Sequence, residues 1–168
     1  MSRKFAVFDI DGTVIRWQFY HAIVHELSKL NLLKPDAAAK ISEARFTWKK
    51  RSHKDSFHDY EQTLVNVYHE ARSSIKASDF DLAVESVFET YKDQVYTYTR
   101  DLIRELKAKR YLLFAVSGSQ QEIVEKFGAY YGFDDVVGSI YARKPDGMLG
   151  ERISSPVKDD GKGPVLQR

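Results

Sequence analysis

The chain has 168 residues, 43% hydrophobic and 30% charged, with a formal net charge of +2. That length holds one ordinary domain or one with a sizeable insertion, and the composition is that of a soluble globular protein. The near balance of charge gives no ground for a nucleic-acid partner, and the absence of cysteine excludes disulfides, thiolate metal sites and a cysteine nucleophile. No apolar run approaches a membrane span. Ser2-Arg3-Lys4 leads straight into an apolar stretch too short for a signal peptide, so a cytoplasmic location is expected.

The first element is the run Phe5-Ala6-Val7-Phe8, which reads as a strand buried on both faces. Asp9 and Asp11 fall where it should end, at the carboxyl edge where open α/β sheets bind ligands. Residues two apart on extended chain point the same way, which directs both carboxylates into one volume. Gly12 permits a sharp turn with an accessible N–H. Two carboxylates sharing a site repel, so one tends to hold its proton. The pair then divides into an ionised nucleophile, which a divalent cation would favour, and a proton donor. Two structural readings compete with this one. An Asp-Gly hairpin turn would need a return strand, and only Val14 and Ile15 follow. A calcium loop would carry Glu at its twelfth position, which is Tyr20.

From about Gln18 to Val95 the pattern is helical. Phe19, Ala22, Ile23, Leu27 and Leu30 mark one face of a first helix ending near Asn31, with Pro35 beyond. Ala37, Ile41, Ala44 and Trp48 form the stripe of a second. A third carries Phe57, Tyr60, Leu64, Val67, Tyr68, Ala71 and Ile75, and a fourth Phe80, Val84, Val87, Phe88 and Tyr91. Four such helices suggest a small bundle with its own core. On the second, Arg45, Lys49, Lys50, Arg51 and Lys54 make a positive face around Trp48 and His53. That face reads as a solvated surface, or as a contact for an anionic substrate, lipid headgroup or nucleic acid.

The α/β pattern then resumes. Leu102, Ile103 and Leu106 fit a short helix, and Tyr111–Val116 a second buried strand. Ser117-Gly118-Ser119 reads as a turn into a further helix, with Ser119 and Glu122 as a capping box and the N–H groups of Gly118 and Ser119 as an anion site. Val136-Val137 begins a third strand, and Lys144–Gly147 is a turn. No strand is expected in the polar, glycine-rich stretch from Ser154 to Arg168, where Gly161-Lys162-Gly163 presents one ammonium group on flexible backbone. The order of elements fits a parallel sheet with crossover helices.

An aspartate pair after the first strand, a serine after the second and a late lysine together resemble the haloacid dehalogenase superfamily. Asp9-Ile10-Asp11-Gly12-Thr13 looks like its first motif, Ser117 its second and Lys162 its third. The helical insertion is placed like the cap of the phosphoserine-phosphatase-like branch, and Val116-Ser117-Gly118-Ser119 with Tyr131-Gly132-Phe133 is similar to that branch. The resemblance implies a Rossmann-type α/β core over residues 1–16 and 97–168 with a helical cap over 17–96. It also implies a Mg²⁺-dependent phosphatase acting on a small phosphate monoester. Asp9 would attack phosphorus and Asp11 would serve as acid and then base. Gly12, Thr13, Ser117, Gly118 and Lys162 would hold the phosphoryl oxygens. Mg²⁺ would sit on Asp9 and the backbone carbonyl of Asp11.

Two departures qualify the resemblance. Where phosphoserine phosphatases carry a glutamate nine positions after the nucleophile, this chain has Gln18, a neutral cap contact for substrate. The family's fourth motif, an acidic pair on a later strand, is missing: six residues follow Lys162, none acidic, and Asp159-Asp160 come too early. The chain is then a piece of a longer protein, or its metal site is built differently. In the family the fourth-motif strand flanks the first strand, so Phe5–Phe8 is expected to be an edge open to self-association. A phosphotransferase of the same fold and a non-catalytic phosphate-binding protein are the rival functions.

Overall fold

The structure, a computed structural model, describes residues 4–157. The chain opens with β1 (Phe5–Asp9). Four helices follow: α1 (Phe19–Lys29), α2 (Pro35–Lys49), α3 (Ser56–Ala71), which ends in a 3-10 turn at Arg72–Ser74, and α4 (Ala77–Tyr91). Then come α5 (Thr97–Ala108), β2 (Leu112–Gln120), α6 (Gln121–Tyr131), β3 (Asp135–Arg143) and β4 (Leu149–Ser154). Local chemistry sets several boundaries. Pro35 sits in the first turn of α2, where its missing N–H costs nothing. Gly132 closes α6 in the left-handed conformation at φ 71°, and Phe133 N–H returns to Gly128 O at 2.9 Å.

The strands form one sheet in the order β1-β2-β3-β4. β1 runs parallel to β2, from Phe5 opposite Leu112 to Asp9 opposite Val116. β2 runs parallel to β3, and β3 pairs antiparallel with β4. This is the expected α/β architecture, with four particulars changed. β2 continues through Ser117-Gly118-Ser119 to Gln120 instead of turning after Val116, and a register shift between Val116 and Gln120 absorbs the irregularity. The capping box does not form: α6 begins after Gln120 with no side-chain cap, because the Ser119 hydroxyl is engaged elsewhere. β4 is an unforeseen strand whose Gly150, Glu151 and Arg152 obscure any apolar alternation. Finally, β1 is not buried on both faces. Among the described residues it pairs only with β2, and Phe5 and Val7 are 60% and 37% exposed.

The helical insertion does not keep a separate core. Its buried side chains and those of the sheet form one continuous cluster. Phe19 of α1 meets Phe127 of α6 edge-on at 5.1 Å, and Tyr68 of α3 meets Tyr141 of β3 at 5.4 Å. α2 is the loosest member, burying only Ile41 fully and leaning on α3 through Trp48, which stacks on Tyr60 at 5.0 Å. Arg72, itself buried, fastens the end of α3 to β4: its guanidinium donates to Gly150 O at 2.9 Å and to the Glu151 carboxylate. Among the described residues no helix is long and apolar enough to cross a membrane.

Candidate active site

The aspartates are presented by a tightly wound loop between β1 and α1. The carbonyl of Ile10 accepts N–H groups from Thr13 (3.2 Å), Val14 (2.9 Å) and Ile15 (3.1 Å), while Gly12 N–H donates to Trp17 O at 3.0 Å. Ile10, Val14 and Ile15 are fully buried and anchor the loop. Gly12 lies at φ 74°, a left-handed backbone that accounts for glycine there. The winding overturns the expectation that the Gly12 N–H is open to a ligand, since the loop itself consumes it. Thr13 is likewise engaged. Its N–H is in the turn, and its hydroxyl donates to Asp9 Oδ2 at 2.8 Å, orienting that carboxylate.

Asp11 is the hub of a second set of bonds. Its Oδ1 accepts the N–H of Phe19, the first residue of α1, at 2.7 Å. Its Oδ2 accepts the hydroxyls of Ser117 and Ser119, the latter at 3.0 Å. Ser119 N–H donates to Ser117 Oγ at 2.9 Å, and Tyr20 N–H donates to Ser119 Oγ at 2.8 Å. The first two N–H groups of α1, which have no partners within the helix, are thus capped by a β1-loop carboxylate and a β2 hydroxyl. Burial pushes the Asp11 carboxyl above its ordinary value. The bonds from Ser117, Phe19 and Ser119 pull it down, and the charge of Asp9 adds to the rise.

Asp9 and Asp11 lie in the wall of a cavity of about 320 Å³, together with Gln18 and Gly118. Tyr20 and His21 of α1, Glu61 of α3, Tyr141 of β3 and Arg152 of β4 complete much of the lining. Of the residues singled out in the sequence, Asp9, Asp11, Gln18, Gly118 and Ser119 therefore meet in one place, although the Ser119 N–H expected to be open to an anion is taken by Ser117 Oγ. Ser117 is fully buried, with its hydroxyl turned to Asp11. Gly12 and Thr13 are exposed beside the wall rather than part of it. Lys162 and the Asp159-Asp160 pair lie outside the described residues. Ser119 was readable, because it stands two positions from Ser117 on one strand face. His21, Glu61 and Arg152 carry no local signal, and packing alone brings them to the cavity.

For a Mg²⁺ ion the donor set is small. Among the described residues no group of three or more His, Asp or Glu side chains is placed to hold a metal. Both oxygens of Asp11 are occupied by N–H and O–H donors. Mg²⁺ commonly uses one or two carboxylates, completing its shell with water and substrate phosphate. Asp9, whose carboxylate lies in the cavity wall, fits that role.

Solved structures share the fold. An apo phosphoserine phosphatase is 19% identical, with 99% of this chain and 69% of that one covered and a TM-score of 0.62. A protein with unknown function from Bordetella pertussis Tohama I is 12% identical (90% and 67% covered, TM-score 0.62). A phosphoserine phosphohydrolase-like protein from Francisella tularensis subsp. tularensis SCHU S4 is 17% identical (89% and 64% covered, TM-score 0.56). The chain thus spans about two thirds of the length of each. No curated protein sequence matches it. The family model for haloacid dehalogenase-like hydrolases matches residues 6–168. With that match over nearly its whole length, and with the paired aspartates at the end of β1, the chain belongs to the haloacid dehalogenase-like hydrolases.

Proposed function

We propose that this hydrolase cleaves small phosphate monoesters through an aspartyl-phosphate, with Asp9 as nucleophile and Asp11 as general acid and base. The observation that carries the reading is the contrast between the two carboxyls. Asp9 lies in the cavity wall with one oxygen held by Thr13, while burial raises the proton affinity of its neighbour Asp11 against three donors that lower it. An oxygen of Asp9 attacks phosphorus as the bond to the leaving oxygen breaks, and Asp11 gives that oxygen its proton. Asp11, now a carboxylate, takes a proton from a water whose oxygen attacks the same phosphorus. The Asp9–phosphate bond breaks, releasing inorganic phosphate and leaving Asp11 protonated again. To reach the leaving group Asp11 must exchange its contact with Ser119, the longer of its two serine bonds, for the ester oxygen.

Phosphoryl transfer depends mainly on positioning and charge stabilisation. Arg152, Lys162 and the backbone at Gly118 are the groups proposed to hold the phosphoryl oxygens, with Ser117 supporting them through Asp11. Asp9 and the backbone carbonyl of Asp11 would hold a Mg²⁺ ion, which would supply charge neutralisation for the phosphoryl group. The names of the structurally similar phosphoserine phosphatases support the phosphatase reading, and Gln18 in the cavity wall points away from phosphoserine itself. The proposal takes residues 1–16 and 97–168 as the catalytic core and 17–96 as its cap. It places the protein in the cytoplasm, with a second copy pairing along the Phe5–Phe8 edge. The test is phosphate release from a generic aryl phosphate in Mg²⁺ and in EDTA. Turnover in Mg²⁺ that EDTA abolishes is expected. Equal turnover in both removes the metal from the proposal, and none in either removes the activity.

A further inference from the structure

Phe46 and Trp48 leave α2 in different directions. Trp48 turns inward and stacks on Tyr60 at 5.0 Å and Trp17 at 5.9 Å, while Phe46, two residues earlier, is 58% exposed. Between Glu43 and Asp55 the chain carries five cations, Arg45, Lys49, Lys50, Arg51 and Lys54, and no acidic residue. Arg45 is half-buried and the other four are exposed. The helix dipole accounts for Lys49, in the last turn, but Lys50, Arg51 and Lys54 come after the helix has ended. Lys50 Nζ lies 4.2 Å from the centre of the Phe46 ring, so charge and exposed apolar surface share one place. The region after α5 is as basic, yet there Arg100 and Arg104 pair with Asp101, and Lys109 pairs with Glu105. Among the described residues the five cations of α2 have no such ion pairs, and the pair formed in their stretch joins His53 to Asp59.

A surface that is merely solvated mixes charges of both signs, and this one does not. Its five cations exceed the whole net charge of +2, so the rest of the molecule is net negative and is repelled by any anionic surface that this face approaches. We infer that the end of α2, from Phe46 to Lys54, docks the protein on an anionic lipid bilayer. Phe46 enters the headgroup boundary, and Lys49, Lys50, Arg51 and Lys54 reach the lipid phosphates. Two features favour a bilayer over a nucleic acid. Three of the four exposed cations are lysines, compact charges suited to a diffuse field rather than to the forked hydrogen bonding of arginine. A lone exposed aromatic suits insertion, whereas single-strand sites lay out several rings for stacking. No residue of α2 lines the cavity, so docking leaves the Asp9 site open. The inference stands independently of the phosphate-ester reading.

The experiment is sedimentation of the full chain with vesicles of phosphatidylcholine alone and of phosphatidylcholine with one third phosphatidylserine. Partition onto the anionic vesicles is expected to exceed that onto the neutral ones at least about tenfold at low salt, and to be lost as salt rises to about 0.5 M. Lys49→Gln, Lys50→Gln and Arg51→Gln combined lower it at least about thirtyfold, since each cation near such a surface contributes a factor of about five. Phe46→Ser lowers it at least about fivefold. A matched set at the end of α5, Arg104→Gln, Lys107→Gln and Arg110→Gln, lowers it less than about threefold. All of these side chains are exposed, and circular dichroism checks that each variant is folded. Absence of binding to the anionic vesicles overturns the inference. Equal loss from the two basic sets does so too, because the attraction would then be one of overall charge. Binding unmoved by Phe46→Ser also overturns it, since charge alone suits any polyanion. An RNA oligomer that binds more tightly than the anionic vesicles at the same salt, and is released by the Lys49–Arg51 substitutions, assigns the face to nucleic acid and removes the bilayer.

Discussion

The Asp9–Asp11 side of the cavity and the His21–Glu61 side differ in how far along the chain their parts lie. Asp9, Asp11 and Thr13 come from one turn, and the serines that hold Asp11 are delivered by strand register, since Asp9 sits opposite Val116. Backbone hydrogen bonds fix the aspartate turn and β2 up to Val116, and side-chain bonds among Asp11, Ser117 and Ser119 complete the set. His21 and Glu61 are forty residues apart and meet because α1 and α3 pack through Trp17, Trp48, Phe57 and Tyr60. The first side is set by geometry that few sequences escape, and the second by the shapes of large rings. Changes on the sheet side should therefore strike the reaction itself, and changes on the helical side should strike stability.

The sharpest test of the sheet side is Asp9→Asn, which preserves size and the Thr13 contact but removes the attacking charge. Turnover of an aryl phosphate should fall by more than about a thousandfold, roughly 4 kcal/mol of barrier. Thermal stability should change little, because Asp9 lines the cavity rather than the core. Single-turnover kinetics on the purified variant check this. Near-normal rates would remove Asp9 as nucleophile and with it the contrast between the two carboxyls.

The same division explains what could be read from the sequence. The apolar run into Asp9-Ile10-Asp11-Gly12-Thr13, the helical stripes and the run Tyr111–Val116 are local patterns, and each element formed close to where its pattern lies. The errors fall where tertiary pairing outweighed local chemistry. Ser117-Gly118-Ser119 looks like a turn and cap, yet the chain stays extended across a break in the pairing with β3, which resumes at Gln120 opposite Ser139, and Asp11 claims both hydroxyls. The free N–H expected at Gly12 is lost to Trp17 O, five residues on. β4 escaped because Glu151 and Arg152 interrupt its apolar pattern, although the buried Arg72 finds partners there in the Gly150 carbonyl and the Glu151 carboxylate. His21 and Glu61 look like ordinary helical polar residues until α1 and α3 are packed together.

The helical side should show its character in acid. His21 and His25 are both held down to about 4, chiefly by burial, with His25 contributing for His21 and Arg45 for His25. His25 Nε2 is 2.5 Å from the Tyr60 hydroxyl, an arrangement suited to a neutral ring. Because the folded values lie below the unfolded one near 6.5, their contribution is fully present above about pH 6.5 and is lost as pH falls toward 4. For His21 the loss amounts to about 3 kcal/mol. Asp11 works in the opposite direction: its raised value costs stability at high pH, and that cost is relieved as pH falls. Urea denaturation at pH 7.5, 6.5, 5.5 and 4.5 should show a steady decline, shallower in His21→Phe. A flat profile would mean that these rings are not buried as the packing places them.

Ser119→Ala probes the seam between the two sides, since Ser119 bonds both Asp11 and the N–H of Tyr20. Loss of stability should be about 1–2 kcal/mol, the cost of one bond and one stranded donor. The Ser119 bond also lowers the Asp11 value, so its removal should raise that value further. The limb of the pH–rate profile on which the general acid deprotonates should then move to higher pH. Destabilisation without any movement of that limb would make Ser119 a helix cap alone.

The smallest effect on stability, and the last test of the contrast, is at the edge of the sheet. Backbone register fixes the reacting end of β1, yet among the described residues β2 is the one strand beside it in the sheet, and Phe5 is 60% exposed, touching Phe114 edge-on at 6.3 Å. An apolar edge with free N–H and C=O groups is a template for a second strand. In Phe5→Lys the lost contact is peripheral, so stability should stay within about 0.5 kcal/mol. The added charge should oppose pairing between copies. Sedimentation velocity over a wide concentration range should show the unaltered chain associating and Phe5→Lys remaining monomeric, with Asp9-dependent turnover retained in both. A monomer at every concentration in the unaltered chain would show that β1 needs no partner copy. Association undiminished in Phe5→Lys would place the contact elsewhere on the molecule.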